Sequence, residues 1–421
     1  MTLFRTSLWN GIAVATRLAT GLILNKVLAV YLDPAGYAII GQFQNAVSVA
    51  VTFSTGAIQT GVTKYTAEFG EDRERLHSLW ATAGVVTLVA SILMSISVAL
   101  ARTPLAVFFL KDAGLSSVFL WLAAGLTLIS LNSLLLAMLN GRKEVKRFVV
   151  SSIAGALVGL ALTAVLAWQF GLYGALVALS LNQAVVVVVT LQQTMGTAWF
   201  RLRLLWGRID PTQLRGLGKF VLMAATTAIA TPLSQILVRN HLATQFGWDA
   251  AGYWDAMWKI SGMYLALLTT TLSLYYLPRI SEIKNWGDLK AELVGAYKLV
   301  LPLSIATSLI VYLLRDVIIN TLLTREFSGM EVLFAWQMVG DVLKISSWLI
   351  AYLMIGRSLI RMFIATEIVF ALLFWGLTVA FTGLCGFEGV AIAHAITYGV
   401  YLITVYALVV STRGRREALF R

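Results

Sequence analysis

The chain has 421 residues, of which 59% are hydrophobic and 12% are charged. A typical soluble domain carries about 25% charged residues, so this chain has too little polar surface for a globule in water, and lipid is its predicted surrounding. The net charge of +12 would also suit nucleic acid, and the placement of the basic residues decides that question. The single cysteine, Cys385, excludes an intramolecular disulfide and a cysteine-rich metal site.

Long apolar segments follow one another along the whole chain. A helix needs about 20 mostly apolar residues to cross roughly 30 Å of hydrocarbon, and a helix satisfies its own backbone amides in lipid. The first segment is predicted to be a span and not a cleaved signal peptide, because it is long and contains Arg17 and Lys26. The twelve predicted spans are 7–31, 36–64, 78–101, 115–139, 148–169, 174–195, 217–241, 251–278, 294–314, 332–354, 362–382 and 389–411.

The basic residues predict the orientation of these spans. With the N-terminus in the cytoplasm, the predicted inner loops and the two termini hold twenty-one Lys and Arg, whereas the predicted outer loops hold four. This asymmetry follows the positive-inside rule and predicts that both termini are cytoplasmic. It also explains the basic composition, so no nucleic-acid partner is expected.

Sequence signatures of soluble-type catalysis are not found. The chain has neither a GxxxxGK[ST] phosphate loop nor an HExxH zinc motif, and its three histidines, His77, His241 and His394, lie far apart in the sequence. The longest inner loop, roughly 196–216, is too short for a folded domain. We therefore expect no ATP hydrolysis, no metal site and no cofactor.

Charged residues inside the predicted spans are candidates for function, because each costs about 2.5–3.5 kcal/mol at the membrane centre and usually faces a cavity or a partner. Seven are basic and three are acidic. They are Arg17, Lys26, Lys64, Arg239, Lys259, Lys298 and Lys344, with Asp255, Asp341 and Glu367. The excess of bases favours an anionic substrate, and the planar guanidinium of arginine matches phosphate or pyrophosphate.

The basic residues also have structural interpretations. Arg17 lies near the middle of its span with no acid within helical reach, which favours a water-filled cavity. Lys26 follows nine residues later and lies on the opposite side of a regular helix. Lys64, Arg239 and Lys298 lie near span ends, where a long side chain can reach the lipid headgroups.

Two pairs and one isolated acid leave alternatives open. Asp255 with Lys259, and Asp341 with Lys344, have the spacing of salt bridges on one helix face. For each pair, a structural salt bridge and a role in transport are both open. Glu367 is isolated in its span, where a proton-carrying carboxylate and a hydrogen bond between helices are both open.

One short motif occurs twice, half a chain apart. LAVYLDPAGY at 28–37 and LATQFGWDAAGY at 242–253 both lead through Asp-x-Ala-Gly-Tyr into another apolar run. Six spans separate the copies, so both are predicted on the outer side, where the glycine suits a tight reversal; an ordinary helix start is the alternative. The repeat predicts an all-α protein of two six-helix lobes, 1–207 and 208–421, related by a pseudo-two-fold axis along the membrane normal. Such lobes would allow alternating access.

A set of stretches in chain order identifies a family. The stretches are SLWNGIAVATRLATGLILNKVLAV (7–30), DPAG (33–36), GVTKY (61–65), WDAAGYW (248–254), YYLPRISEI (275–283), LLRD (313–316) and FAWQMVGDVLK (334–344). They resemble the Wzx-type lipid-linked oligosaccharide flippases of the multidrug/oligosaccharidyl-lipid/polysaccharide exporter superfamily. The likeness is greatest to the branch that moves the repeat unit of enterobacterial common antigen.

The resemblance implies a transporter that changes no covalent bond. Its substrate would be a short oligosaccharide, of the enterobacterial common antigen or O-antigen type, joined through pyrophosphate to undecaprenol. The protein would move it from the cytoplasmic to the periplasmic leaflet of the bacterial inner membrane. Polysaccharide polymerase and chain-length proteins would be further partners. No cofactor is expected. A proton or sodium gradient is a candidate driving force, with Asp341 and Glu367 as the candidate ion carriers.

The resemblance also implies roles for single residues. Residues that match basic or acidic family positions are Arg17, Lys26, Lys64, Arg239 and Lys344, with Asp249 and Asp341. Arg17, together with Lys26, Lys64 or Arg239, is predicted to neutralise the pyrophosphate. A second group is predicted to contact sugars, although interfacial tryptophans are often only membrane anchors. That group is Asp341, Lys344, Trp254, Trp258 and Trp336.

Three other functions compete with this prediction. A cation-coupled multidrug exporter of the same superfamily would need an acid-lined cavity, whereas this chain has more bases in its spans. A membrane glycan polymerase or ligase would need a large outer loop, and the longest predicted outer loop, roughly 315–331, is modest. A scaffold without transport would leave Arg17 unexplained.

Overall fold

The computed structural model describes residues 3–70, 72–271, 276, 279, 280, 283, 285–356 and 359–411. Within these ranges the chain is helical nearly throughout and contains no β-strand. The helices of the first half are α1 (Leu3–Tyr31), α2 (Pro34–Ser54), α3 (Gln59–Phe69), α4 (Arg73–Leu100), α5 (Arg102–Leu105), α6 (Ser116–Gly141) and α7 (Val145–Met195). Those of the second half are α8 (Pro211–Phe246), α9 (Trp248–Thr271), α10 (Trp286–Leu313), α11 (Arg315–Leu322), α12 (Phe334–Gly356), α13 (Ile360–Cys385) and α14 (Gly389–Val405).

In the described part of the chain, six short segments of other helical types lie between these helices or follow the last of them. Four are 3₁₀-helices, at Ala113–Leu115, Leu202–Leu205, Arg325–Leu333 and Gly386–Glu388. Two are π-helices, at Ala106–Leu110 and Tyr406–Ser411.

Six stretches of the described chain are long and apolar enough to cross a membrane. They are Gly11–Tyr31, Arg73–Leu100, Ala113–Gly141, Val145–Met195, Trp286–Leu313 and Met362–Leu408. Two of them, with 51 and 47 residues, have about twice the length that one crossing needs. The protein is therefore a multi-pass membrane protein.

The second predicted span, 36–64, is wrong as one continuous helix. α2 ends at Ser54, and α3 begins at Gln59. Between them, Gly56 and Ala57 have φ angles of +63° and +53°, in the left-handed region that a right-handed helix cannot include. Lys64, predicted near the end of a span, therefore lies on the separate short helix α3.

The predicted connection between 148–169 and 174–195 is a sharp bend inside α7. Gly171 interrupts the helical geometry there with φ 55° and ψ −134°, a conformation that glycine adopts easily because it lacks a Cβ. At Gly174 a Cβ would overlap the Leu166 carbonyl. The two limbs of α7 therefore meet closely at the bend.

The chain divides into two compact units. Unit 1 comprises Met1–Leu32 and Ile39–Pro232, and unit 2 comprises Asp33–Ala38 and Leu233–Arg421. The chain passes from unit 1 to unit 2 within α8 at Pro232, a residue that cannot donate a helical hydrogen bond. The lobe boundary at 207 and 208 stays a prediction.

The first turn of α2 belongs to unit 2. Asp33 caps this helix, since its Oδ1 accepts a hydrogen bond from the Gly36 amide at 2.7 Å, and Pro34 occupies the first helical position that proline favours. In the second motif copy, Asp249 lies inside the first turn of α9. At Gly252 a Cβ would overlap the Pro34 carbonyl. This glycine therefore permits close packing of the two motif copies. The prediction that the motif glycine serves a tight reversal is wrong, because Gly252 lies within α9.

Candidate functional site

Lys344 lies in a cage of three aromatic rings in unit 2. Its ammonium is 4.7 Å from the ring centroid of Trp258, 5.1 Å from that of Trp348 and 5.2 Å from that of Tyr398. Lys344 and Trp348 are one turn apart on α12, whereas Trp258 comes from α9 and Tyr398 from α14. An ammonium over an aromatic face gains about 0.5–2 kcal/mol. The rings therefore hold the positive charge without neutralising it.

Asp341 is fully buried and hydrogen-bonded by neighbouring helices. Its Oδ2 accepts from the Tyr264 hydroxyl at 2.5 Å, and its Oδ1 accepts from Gln337 Nε2 at 3.3 Å. Oδ1 also lies 3.0 Å from His394 Nε2. A buried carboxylate needs such partners because water cannot reach it. Among the described contacts no ion pair joins Asp341 to Lys344, so their spacing alone did not predict the partner of either.

His394 is the main site residue that sequence reasoning missed. Its side chain is 1% exposed and lies between Asp341 and the ring of Trp258, whose centroid is 5.5 Å from the imidazole centroid. Distance along the chain obscured it, because Asp341 is 53 positions away. The available signal was a single histidine in the mostly apolar run 389–405, since an ionisable residue is costly in a membrane and usually has a partner.

Arg239, Asp255 and Lys259 form a second charged group in unit 2. Arg239 and Asp255 are almost completely buried and form a hydrogen-bonded ion pair. The predicted pairing of Asp255 with Lys259 is confirmed, since Lys259 Nζ lies 3.3 Å from Asp255 Oδ2. The rings of Trp254 and Tyr37 lie beside the two cations, 5.6 Å from the Arg239 guanidinium and 3.9 Å from the Lys259 ammonium. One carboxylate thus serves two bases, and the group keeps a net positive charge.

Two neighbouring tryptophan rings connect the two charged groups. Trp254 and Trp258 are one turn apart on α9 with ring centroids 5.5 Å apart. Trp254 contacts Arg239, whereas Trp258 contacts Lys344. Unit 2 therefore brings together five of the predicted site residues. They are Arg239, Trp254, Trp258, Asp341 and Lys344.

Two further predicted residues of unit 2 lie at the margin of this arrangement. Trp336 is 40% exposed in the first turn of α12. Glu367 on α13 is half-buried and interacts electrostatically with Lys344. The carboxyl group of Glu367 is therefore close enough to interact with the charge of Lys344 in the aromatic cage.

The remaining predicted site residues lie in unit 1. Arg17 is exposed and Lys26 is half-buried on α1. α1 is one helix from Leu3 to Tyr31, so nine residues of separation place the two side chains on opposite sides of it. Lys64 is exposed on α3, with its ammonium 5.6 Å from the ring centroid of Tyr65.

Residues 5–284 match the sequence model of a family described as polysaccharide biosynthesis protein. The chain belongs to this family. It is also 33% identical over 369 residues to proteins named Lipid III flippase from Escherichia coli (strain K12) and from Shigella flexneri. These alignments cover 87% of the chain and 88% of each flippase. The resemblance to lipid-linked oligosaccharide flippases is thereby confirmed.

Solved transporter structures share the fold of this family member. An inward-facing multidrug-resistance MATE transporter of the MOP superfamily has a TM-score of 0.75 at 16% identity, covering 96% of this chain and 98% of that chain. The lipid II flippase MurJ in an inward closed conformation has a TM-score of 0.71 at 12% identity, covering 99% of this chain and 90% of that chain. At these identities the similarity establishes the fold alone.

Proposed function

We propose that the protein is a flippase that moves an undecaprenyl-pyrophosphate-linked oligosaccharide from the cytoplasmic to the periplasmic leaflet of the inner membrane. The observation that carries the proposal is the 33% identity to proteins named Lipid III flippase along 87% of the chain. The enterobacterial common antigen repeat unit is the proposed cargo. As for those relatives, the activity is transport and not a covalent reaction.

The charge arrangement of unit 2 supports an anionic cargo. Lys344 is held by three aromatic rings. Asp341 and Glu367 interact with it electrostatically, but no ion pair is found for it among the described contacts, so its donors can bind a phosphate or an acidic sugar. The ring faces of Trp258 and its neighbours suit sugar faces. The other residues assigned to the pyrophosphate are Arg17, Lys26, Lys64 and Arg239, of which Arg239 already has Asp255 as a partner.

The architecture that we propose for transport has twelve spans in two six-helix lobes, 1–207 and 208–421. Both termini lie in the cytoplasm, and the lobes alternate access between the two leaflets. The charge asymmetry of the loops supports the orientation, and the repeated Asp-x-Ala-Gly-Tyr motif supports the two-fold relation. Asp341 and Glu367 remain the proposed sites of coupling to a proton or sodium gradient. Polymerase and chain-length proteins are the proposed downstream partners.

Reconstitution tests this function directly. Purified protein in vesicles is supplied with undecaprenyl-pyrophosphate oligosaccharide in one leaflet, and its arrival in the other leaflet is followed with time. We expect transfer by the wild type, loss with Arg17→Ala, and near-normal transfer with Arg102→Ala, which removes an exposed arginine outside the predicted spans. No transfer by correctly inserted wild type would contradict the proposal.

A multidrug exporter is the alternative within the same superfamily. The MATE structure supports only the shared fold at 16% identity, and the net positive group of Arg239, Asp255 and Lys259 opposes a cationic cargo. The same vesicles distinguish the two, because an exporter would move cationic dyes and leave the lipid-linked oligosaccharide in place.

A further inference from the structure

The segment that connects the two halves of the chain folds back onto the start of α4. We call residues 196–210 the connector. Its residues Phe200 and Leu205 are buried in one hydrophobic cluster with Trp80 of α4. At Gly84 a Cβ would overlap the Leu205 carbonyl, so the connector backbone rests directly on the helix. The connector is therefore packed against α4 and is not a loose linker.

Arg147 fixes the beginning of the connector. Its guanidinium donates to the carbonyls of Gln193 at 2.5 Å and Gly196 at 2.7 Å. Two donors from one planar side chain hold the last turn of α7 and the first connector residue in a set geometry. The side chains that follow, including Trp199, are therefore presented in defined positions.

A pocket of about 590 Å³ lies between the connector, α4 and the turn after α6. Volumes of this order suit small-molecule sites. The residues from α4 have the spacing of one helix face. They are Arg73, Leu76, His77 and Trp80. The turn after α6 and the connector supply Arg142, Ala198, Trp199, Arg201 and Leu204.

Three arginines give this pocket its charge. Among the described residues that line it, none is a carboxylate. Arg142 is held in place, because it donates to the Gly70 carbonyl and its guanidinium lies 5.7 Å from the ring centroid of Trp199. Arg73 and Arg201 are exposed, so their donors are available to a ligand.

Two described carboxylates beside the pocket have other partners. Asp72 Oδ2 lies 3.3 Å from Arg75 Nε, and Asp72 Oδ1 also caps α4. Glu144 lies 3.7 Å from Arg147 Nε and accepts a hydrogen bond from Trp199 Nε1 at 3.3 Å. Asp72 and Glu144 therefore bind residues other than the three arginines that line the pocket.

We propose that this connector pocket binds a phosphate-bearing anion, as a phosphate or diphosphate group, at the predicted cytoplasmic surface of unit 1. Guanidinium groups bind such oxygens with paired, charge-assisted hydrogen bonds, and Trp199 gives the ligand an aromatic wall. The group belongs either to a lipid headgroup or to a soluble molecule. The inference goes beyond the flippase proposal, since it concerns binding at a pocket within unit 1 and needs no transport.

Equilibrium binding tests the pocket in full-length protein held in nanodiscs of zwitterionic phosphatidylcholine. The probe is inorganic pyrophosphate, measured by calorimetry. The pocket variant carries Arg73→Ala and Arg201→Ala, whereas the control carries Arg203→Ala and Arg208→Ala, two exposed arginines that do not line the pocket. Both double variants lose the same charge. We expect roughly tenfold or greater weakening in the pocket variant, since charged hydrogen bonds are lost, and less than a twofold change in the control.

A second measurement identifies whether the bound phosphate group belongs to a lipid headgroup or to a soluble molecule. Nanodiscs that contain phosphatidylglycerol weaken pyrophosphate binding to the wild type if a lipid headgroup fills the pocket, and leave it unchanged if the ligand is soluble. If pyrophosphate binds in the first experiment as expected, either result supports the pocket and identifies the source of its ligand. Failure of the wild type to bind pyrophosphate, or equal weakening in both double variants, overturns the proposal. Transport is not measured, so the outcome is independent of the flippase proposal.

Discussion

His394 Nε2 lies 3.0 Å from Asp341 Oδ1, and neither side chain is more than 1% exposed. The two residues come from α14 and α12, and Tyr264 of α9 donates to the second carboxylate oxygen. Three helices of unit 2 therefore meet at one titratable pair. Lys344 and Glu367 are the further charged groups that interact with it or with each other. The hydrogen bonds of Asp341 to His394 and Tyr264 join these helices, so a change in protonation of the pair would change contacts between them.

Replacing His394 tests whether this pair couples transport to a proton gradient. We expect His394→Gln to insert normally and to flip the substrate at a rate that no longer responds to a pH gradient, because glutamine can hydrogen-bond Asp341 but cannot be protonated. Flipping in vesicles with and without a pH gradient measures this. The matched control is His241→Gln, a half-buried histidine of α8 whose Nε2 lies 2.7 Å from Thr382 Oγ1, outside the pair. A pH response that survives His394→Gln would exclude His394 as a carrier and leave Asp341 and Glu367 as candidates.

Replacing Lys344 tests the aromatic cage as an anion receptor. Lys344→Gln removes the charge and keeps a polar side chain of similar reach. We expect roughly a tenfold loss in the flipping rate, the size of one charged hydrogen bond, with a normal protein yield. Lys298→Gln is the control, since this exposed lysine of α10 lies near a predicted span end and is not among the predicted site residues. Equal losses in the two variants would show that general surface charge, and not the cage, matters.

Adding a methyl group at Gly252 tests the contact between the two motif copies. Gly252→Ala places a Cβ against the Pro34 carbonyl, and overpacking of this kind costs about 1–3 kcal/mol. We therefore expect a lower midpoint of thermal unfolding by circular dichroism. Gly262→Ala is matched to it, since Gly262 lies on the same helix with nothing within 4 Å of its added Cβ. There the midpoint should stay equal or rise, because alanine favours helix by up to about 1 kcal/mol.

Asp210 predicts a pH-dependent contribution of the connector to stability. A hydrogen bond from Ser78 Oγ at 2.7 Å, followed by backbone amide donors, lowers the pKa of Asp210 below its usual value. A lowered folded-state pKa stabilises the protein above the unfolded pKa of about 3.9, and this contribution is lost as the pH falls through the folded pKa. We expect Ser78→Ala to lower the unfolding midpoint at pH 7. The difference from wild type should shrink below about pH 4, and a constant difference would contradict the assignment.

Hydropathy predicted the helical segments well, because burial in lipid dominates their free energy. Burial in lipid depends on the local composition of each segment. α4 and α10 therefore lie close to predicted spans. The break at Gly56 and Ala57 was missed, since it depends on backbone angles that no residue type there requires. Family resemblance placed Lys344 among the site residues, but its cage combines rings from α9, α12 and α14.

The prediction of ion pairs from the sequence was limited in the same way. The i, i+4 spacing of Asp255 and Lys259 predicted their contact correctly, because helix geometry alone sets that distance. Arg239 lies on the preceding helix, and its ion pair with Asp255 depends on how α8 and α9 pack. A partner chosen by tertiary packing cannot be found from spacing along the chain.

The placement of Asp33–Ala38 in unit 2 has a consequence for dividing the protein. A fragment that begins at residue 208 or at 233 contains Lys259 and Phe327 but lacks Tyr37, whose ring contacts both. Such a fragment has an apolar vacancy beside a buried ammonium, and a separately supplied peptide of residues 28–54 would fill it. These contacts of the second half of the chain thus depend on a residue translated some two hundred codons earlier.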